Sequence, residues 1–84
     1  MKSLADLKVG EACLIEELTT NENMHRRFID IGLIKGTRVE CVSQSPAKDP
    51  KAYLIRGAVI AIRSEDCCGI KITPEREWYY GLNQ

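Results

Sequence analysis

The alternation of apolar and polar residues predicts a short strand near the start of the chain. Within the segment 11–18, Cys13 and Ile15 share one face of an extended backbone, while Ala12 and Leu14 lie on the other face. Apolar side chains therefore lie on both faces at the beginning of the segment. This pattern is typical of a strand that other parts of the protein cover on both faces at that end. Gly10, directly before the segment, predicts the turn that leads into this strand.

The period then changes to that of a helix. Met24, Phe28 and Ile31 recur at spacings of four and three, as one apolar face of a short helix over 21–31 requires. A helix of this length is not stable alone, so we expect it to pack against a sheet.

Residues that favour helix ends stand on both sides of this segment. Thr19, Thr20 and Asn21 can each supply the capping oxygen, and Thr19 followed by Glu22 matches a capping box. Gly32 is the predicted stop, because glycine readily takes the left-handed conformation that closes a helix.

Further β-rich segments follow the helix, at 37–45, 51–56, 58–63 and 70–72. Lys35-Gly36 suits the centre of a type II turn before the first of them, and Arg56-Gly57 suits a tight hairpin between the second and the third. Consecutive strands with short connections do not fit the strand–helix crossovers of a parallel sheet. They predict a mainly β protein, a small SH3-like β-barrel of about five strands with one short α-helix between the first and second strands.

The chain has 84 residues and a mass of 9.5 kDa, which is enough for one domain. We assign the barrel to residues 1–74 and treat 75–84 as a C-terminal tail, which holds Trp78, Tyr79 and Tyr80, three of the five aromatic residues. Either these side chains fold back over the open end of a thin core, or they form an exposed patch for a partner or for self-association into a homo-oligomer.

Twelve basic and twelve acidic residues give a formal net charge of zero, which argues against a generic nucleic-acid binder. The charge is unevenly distributed, since residues 24–63 carry eight lysines or arginines against three acids. This basic segment is either an ordinary solvated surface or a surface that docks onto an acidic partner. No nucleic-acid partner is expected, because the only aromatic residues of the segment are Phe28, on the apolar face of the helix, and Tyr53.

The sequence shows no secretory signal and no segment that could span a bilayer. Its longest apolar run, at 58–62, is far shorter than the roughly 20 residues that a membrane helix needs. We therefore expect a cytoplasmic protein without direct membrane insertion, whose four cysteines are reduced thiols.

The residues offer few candidates for catalysis, so we expect no enzyme. The chain has one histidine, His25, and it lacks the glycine-rich phosphate loop, the nucleophile elbow and the zinc-peptidase motif. Cys68 is the candidate exposed thiol, and with Asp66 or His25 it could contribute to a transition-metal site for Fe²⁺ or Zn²⁺. The remaining cysteines fall where we expect small buried hydrophobic residues, namely Cys13, Cys41 and Cys67.

Several short motifs follow one another in a fixed order over most of the chain. They are L-x-x-L-x-x-G-E at 4–11, R-R-F-x-D-x-G-L at 26–33, G-T-x-V-E at 36–40 and R-G-x-x-x-A-I-R at 56–63. In this order and spacing the sequence, from about Leu4 to Ile72, resembles the FeoA family of small cytoplasmic proteins associated with ferrous-iron uptake in bacteria and archaea.

The resemblance implies an SH3-like barrel that acts as an accessory or regulator of FeoB, the membrane iron transporter with a cytosolic GTPase domain. Family members are also similar to the C-terminal SH3-like domain of iron-dependent repressors, which implies an affinity for transition metals. Besides an adaptor for the transporter, two readings stay open: a standalone metal-binding protein and a self-assembling scaffold.

We expect partner contact on the polar side of the helix and in the turn that follows it. The residues concerned are Arg26, Arg27, Asp30 and Lys35. Four glycines are expected to be structural, each permitting a turn that a side chain would hinder, at Gly10, Gly32, Gly36 and Gly57.

Overall fold

The computed structural model describes residues 3–74 and contains five strands and two helices. A 3-10 turn at Leu4–Asp6 precedes the first strand. The remaining elements are β1 (Ala12–Leu18), α1 (Glu22–Asp30), β2 (Arg38–Gln44), β3 (Lys51–Ile55), β4 (Ala58–Ile62), α2 (Ser64–Cys67) and β5 (Ile70–Pro74). The predicted strands and the helix between the first and second strands are confirmed, whereas neither the 3-10 turn nor α2 follows from the apolar pattern.

The strands form one antiparallel sheet with the order β4-β3-β2-β1-β5. This corrects the prediction of a barrel, because within residues 3–74 the edge strands β4 and β5 do not pair and the sheet stays open. The physical reason lies in the connection between them: β4 leads into α2 rather than into a hairpin, and α2 lies against the 3-10 turn, which in turn contacts β5. Register shifts in β1 and β2 bend the sheet around its core.

The core lies on the inner face of this bent sheet. It contains Phe28 of α1, Leu33 just after the helix, and apolar residues from every strand. Three cysteines belong to it, as predicted: Cys13, Cys41 and Cys67 are fully buried, whereas Cys68 is exposed. All four lie within residues 3–74, and none of them forms a disulfide.

The helix α1 begins and ends with side-chain and backbone caps. Asn21 is the N-cap, since its side chain accepts a hydrogen bond from the backbone N–H of Met24 at 2.9 Å. The predicted capping box on Thr19 is wrong, because the Thr19 hydroxyl donates instead to the carbonyl of Gly69. At the other end Gly32 has a φ of +96°, and the N–H of Leu33 donates to the carbonyl of Phe28. This is the Schellman closure that the glycine predicts.

Two further turns form as predicted. Thr37 N–H donates to the carbonyl of Ile34 at 3.0 Å around Lys35-Gly36, and Gly36 has the positive φ that a type II turn needs. Arg56 and Gly57 both have positive φ, at 50° and 86°, and they join β3 to β4 in a two-residue hairpin.

The aromatic tail at 75–84 lies outside the described residues, and so do the predictions made for Trp78, Tyr79 and Tyr80. Within residues 3–74, no helix is long and apolar enough to cross a membrane.

Candidate docking surface

The helix α1 presents one apolar and one polar side. Phe28 is buried, and Met24 and Ile31 are partly buried against the core. Arg26, Arg27 and Asp30, which the sequence selects for partner contact, are all exposed. The helix is therefore held by its apolar side and by both caps, which leaves its charged side chains available to a second molecule.

The described structure does not place these charged residues on one continuous site. Arg26 shares a shallow depression with His25, Glu22 and the exposed Ile29. Arg27 lies on another side of the helix, and Lys35 belongs to a different groove altogether. Within residues 3–74, Arg26 and Asp30 form no ion pair, so both charges remain available.

A groove separates α1 from the edge strand β4, and we call it the helix–edge groove. Its volume is about 270 Å³. The helix contributes Met24, Arg27, Phe28 and Ile31, and the other wall consists of Ile60, Ala61, Ile62, Arg63 and Asp66. The groove thus has an apolar interior with two arginines and one aspartate at its sides.

A second groove is basic and lies where the end of α1 meets the hairpin between β3 and β4. It is lined by Lys35, Gly36, Thr37, Arg38 and Arg56. Arg38 also pairs with Glu40 at 3.6 Å. Sequence reasoning selected Lys35 but missed Arg38 and Arg56, because only the fold brings the hairpin next to the helix end.

The position of Arg56 depends on Gly32. A Cβ atom at Gly32 would lie 2.5 Å from Cδ of Arg56, so the arginine stem lies directly over the glycine. The Gly32 carbonyl accepts a hydrogen bond from the Thr37 hydroxyl at 2.8 Å. In the sequence, only Gly32 itself pointed to this contact. That glycine was accounted for by the end of the helix alone.

The candidate metal ligands are not assembled into a site. Asp66 and Cys68 line a common groove beside Asn21, whereas His25 lies in a separate depression. Across residues 3–74, no three His, Cys, Asp or Glu side chains are placed to hold a metal ion. The Cys68 thiol donates instead to the carbonyl of Glu65 at 3.0 Å. Within the described residues, Cys68, Asp66 and His25 therefore do not form the set of three or four converging ligands that a resident Fe²⁺ or Zn²⁺ needs.

The buried thiols are poor nucleophiles. Burial raises the pKa of Cys41, and burial raises the pKa of Cys67 to about 11. Cys67 donates to the Tyr53 hydroxyl at 3.6 Å, and that hydroxyl donates to the Leu4 carbonyl at 3.4 Å. Both thiols are therefore protonated near neutral pH, as structural core residues are.

An open antiparallel sheet bent around one core, with a helix between its first two strands, defines a small SH3-like domain. A protein-family model described as the FeoA domain matches residues 2–74. The chain belongs to the FeoA family.

Solved structures show the same fold. The FeoA protein from Chlorobium tepidum superposes with a TM-score of 0.82 at 23% identity, covering 87% of this chain and 70% of that one. FeoA from Stenotrophomonas maltophilia, solved with zinc and described as an SH3 domain protein, gives 0.77 at 19% identity, covering 87% and 91%. A manganese-dependent transcriptional repressor gives 0.78 at 16% identity, covering 87% of this chain but 40% of its own. No curated protein sequence matches the chain.

Proposed function

We propose that this protein is a non-enzymatic accessory of ferrous iron transport that docks onto the cytosolic GTPase domain of a FeoB-like membrane transporter. Membership of the FeoA family supports the link to ferrous iron transport. The observation that carries the docking role is the exposed charged side of α1, which adjoins the helix–edge groove through Arg27. A short helix fixed at both ends, with its charges pointing outward, offers a rigid surface to a partner.

The described residues support binding better than catalysis. A covalent catalyst needs a nucleophile with a lowered pKa and a neighbouring base. Burial instead raises the pKa of Cys41 and Cys67, and His25 shares its depression with Arg26 and Glu22 rather than with a cysteine. The chemistry of iron transport is therefore assigned to the partner, and this protein acts by contact.

The charges of the surface indicate the chemistry of the contact. Arg26 and Arg27 lie on α1, and Lys35 lies with Arg56 in the basic groove. Asp30 is an exposed acid at the end of α1. We propose that Arg26, Arg27 and Lys35 steer an acidic surface of the partner. Asp30 then selects its orientation by repelling misplaced acids.

The test is a pull-down with the purified cytosolic part of the transporter. Arg27→Glu reverses one charge of the proposed surface and should weaken binding at least about tenfold. Lys71→Glu reverses a charge on β5, at the opposite edge of the sheet, and should leave binding unchanged. If the unaltered protein fails to bind the cytosolic part at low salt, the docking role is wrong.

A further inference from the structure

The two edges of the sheet are finished differently. At β5, Ser3 forms an isolated bridge with Lys71, and the strand ends in Pro74, which has no N–H to donate. Among the described residues, β4 pairs only with β3. Its sequence, Ala58–Ile62, contains neither a proline nor a charge. This edge strand therefore carries none of the prolines or charged side chains that commonly hinder the addition of another strand.

The hairpin geometry identifies the backbone groups that β4 leaves free. In a two-residue hairpin the flanking residues, Ile55 and Ala58, form the closing hydrogen-bonded pair. Hydrogen-bonded pairs then alternate with non-bonded ones, so Ile60 and Ile62 also bond to β3. The N–H and C=O groups of Val59 and Ala61 consequently point away from the sheet.

The helix–edge groove runs along this free edge. Four consecutive residues line it, from Ile60 to Arg63. Successive side chains of a strand point to opposite faces, so a groove over one face would not be lined by residues that are neighbours in sequence. Because this groove is lined by such neighbours, its wall is the edge of the strand itself. The opposite wall is α1, which contributes the side chains of Met24, Phe28 and Ile31.

The charges beside the groove specify the kind of segment that fits. Arg27 and Arg63 stand on its two walls, and Asp66 is the one acid that lines it. Among residues 3–74, neither arginine forms a salt bridge. An extended segment with alternating apolar residues would place these between β4 and α1, and carboxylates on the same face, at the two ends of the apolar stretch, would meet the two arginines.

We propose that β4 is a strand-addition site for an extended, acidic and partly apolar peptide segment of the partner. The segment pairs with the free backbone groups of Val59 and Ala61 and places alternate side chains against Met24, Phe28 and Ile31. The inference deepens the proposed function, on which it rests, by naming the part of the partner that is bound.

A second copy of this chain fits the edge less well. Two antiparallel β4 strands would bring Arg63 of each copy close to the hairpin that carries Arg56 of the other. Such like-charge contacts oppose association, and they would leave Arg27 without an acid. Charge complementarity therefore favours an acidic segment from a different protein.

The probe is the blocked peptide acetyl-Glu-Thr-Val-Thr-Val-Thr-Glu-amide, whose valines and glutamates share one face of an extended strand, added to the full-length protein labelled with ¹⁵N. We expect the amide hydrogens of Val59 and Ala61 to exchange at least about tenfold more slowly when the peptide is bound, because they acquire partners. The amide of Ile60 already donates to β3, so its exchange should change less. A peptide with lysine in place of glutamate should bind at least about fivefold more weakly.

Two substitutions at one position separate strand pairing from folding. Ala61→Pro removes an outward N–H without removing a bond to β3 and should reduce peptide affinity at least about tenfold. Ala61→Thr keeps that N–H, so it should bind the peptide more tightly than Ala61→Pro does. If Ala61→Pro and Ala61→Thr bind the peptide equally well, strand addition is wrong.

The remaining outcomes are also decisive. If the amide hydrogens of Val59 and Ala61 already exchange slowly without peptide, the proposal is overturned. Slow exchange that depends on protein concentration would indicate a second copy on this edge. Slow exchange that does not depend on concentration would indicate the chain's own tail. Absence of binding at about 1 mM peptide would also overturn it. Peptide binding without binding of the transporter's cytosolic part would refute the proposed function and leave this site intact.

Discussion

Cys67 and Cys68 are neighbours in sequence with opposite surroundings. Cys67 is fully buried at the end of α2 and contacts the Tyr53 hydroxyl, whereas Cys68 is exposed one residue later. Because burial raises the pKa of Cys67 to about 11 from 9.0, the folded state holds the proton of this thiol. Its contribution to stability is complete below pH 9.0 and is lost as the pH rises from 9.0 toward 11.

Alkylation with iodoacetamide should therefore separate the two thiols. At pH 8 in the native protein, we expect Cys68 to react at least about 100-fold faster than Cys67, because the thiolate is the reacting form and Cys67 is both protonated and covered. Mass spectrometry of the digested protein measures each rate. In denaturant the two rates should converge, and equal rates in the native protein would contradict the buried position of Cys67.

The Asp49 carboxylate ties the loop after β2 to the start of α2. It accepts hydrogen bonds from the backbone N–H and the hydroxyl of Ser64, both at 2.9 Å. These bonds, the backbone one first, lower the pKa of Asp49 below its ordinary 3.8. A lowered pKa means that the stabilisation is present above pH 3.8 and disappears as the pH falls through the folded-state value.

Asp49→Asn should make the stability of the protein less dependent on pH in the acidic range. We expect its midpoint of thermal unfolding to be lower than that of the unaltered protein at neutral pH and to fall less steeply below pH 3.8. Asp66→Asn is the matched control, since it removes a nearby carboxylate that accepts no such bond from Ser64. An unchanged slope in Asp49→Asn would show that the carboxylate does not hold Ser64.

At the scale of single elements, local sequence signals were informative. The Schellman closure at Gly32, the type II turn at Gly36 and the hairpin at Arg56-Gly57 each depend on a positive φ that glycine makes easy, and each was predicted. The N-cap was ambiguous, because three adjacent residues carry suitable oxygens. Thr19 is excluded from the cap by its bond to Gly69, a residue far along the chain, which no local pattern contains.

Gly32 and Gly36 provide a matched pair of substitutions. Both have positive φ, so alanine at either position costs about 1–2 kcal/mol of backbone strain. A Cβ at Gly36 meets nothing within 4 Å, whereas one at Gly32 meets Cδ of Arg56 at 2.5 Å. We expect Gly32→Ala to reduce the free energy of unfolding by more than Gly36→Ala, as measured by denaturant titration.

A double variant isolates the contact with Arg56. Adding Arg56→Ala to Gly32→Ala removes the colliding stem, so the combined loss should be smaller than the sum of the two single losses. Strict additivity would mean that the arginine stem moves away from Gly32 at no cost. The same variants test whether the basic groove depends on this contact.

At the scale of the whole molecule, the open sheet and the helix–edge groove escaped prediction for one reason. A pattern of strands shows how many there are but not whether the last one returns to the first. Here α2 forms the connection between β4 and β5, and it lies against the 3-10 turn from the start of the chain. The same arrangement leaves β4 beside α1 and brings Arg63 opposite Arg27, so the most distinctive surface depends on contacts between distant segments.

Lys51 holds the 3-10 turn against the sheet. From β3 its ammonium donates to the backbone carbonyls of Ala5 and Leu7, at 3.0 and 2.8 Å. Lys51→Met keeps the apolar stem but leaves these half-buried carbonyls without their charged donor, so we expect a loss of about 2–3 kcal/mol in the free energy of unfolding. Lys71→Met is the control: it removes only a surface pair with Glu17 and should cost less than about 1 kcal/mol.

The comparison measures what stabilises an open sheet of this size. Because the edges do not pair with each other, the segment that carries Leu4 and Leu7 into the core must be fixed by bonds other than those of a closed barrel. Chemical denaturation of both variants, with hydrogen exchange at the 3-10 turn, gives the two losses and their location. Equal losses for Lys51→Met and Lys71→Met would show that burial of Leu4 and Leu7 suffices without the lysine.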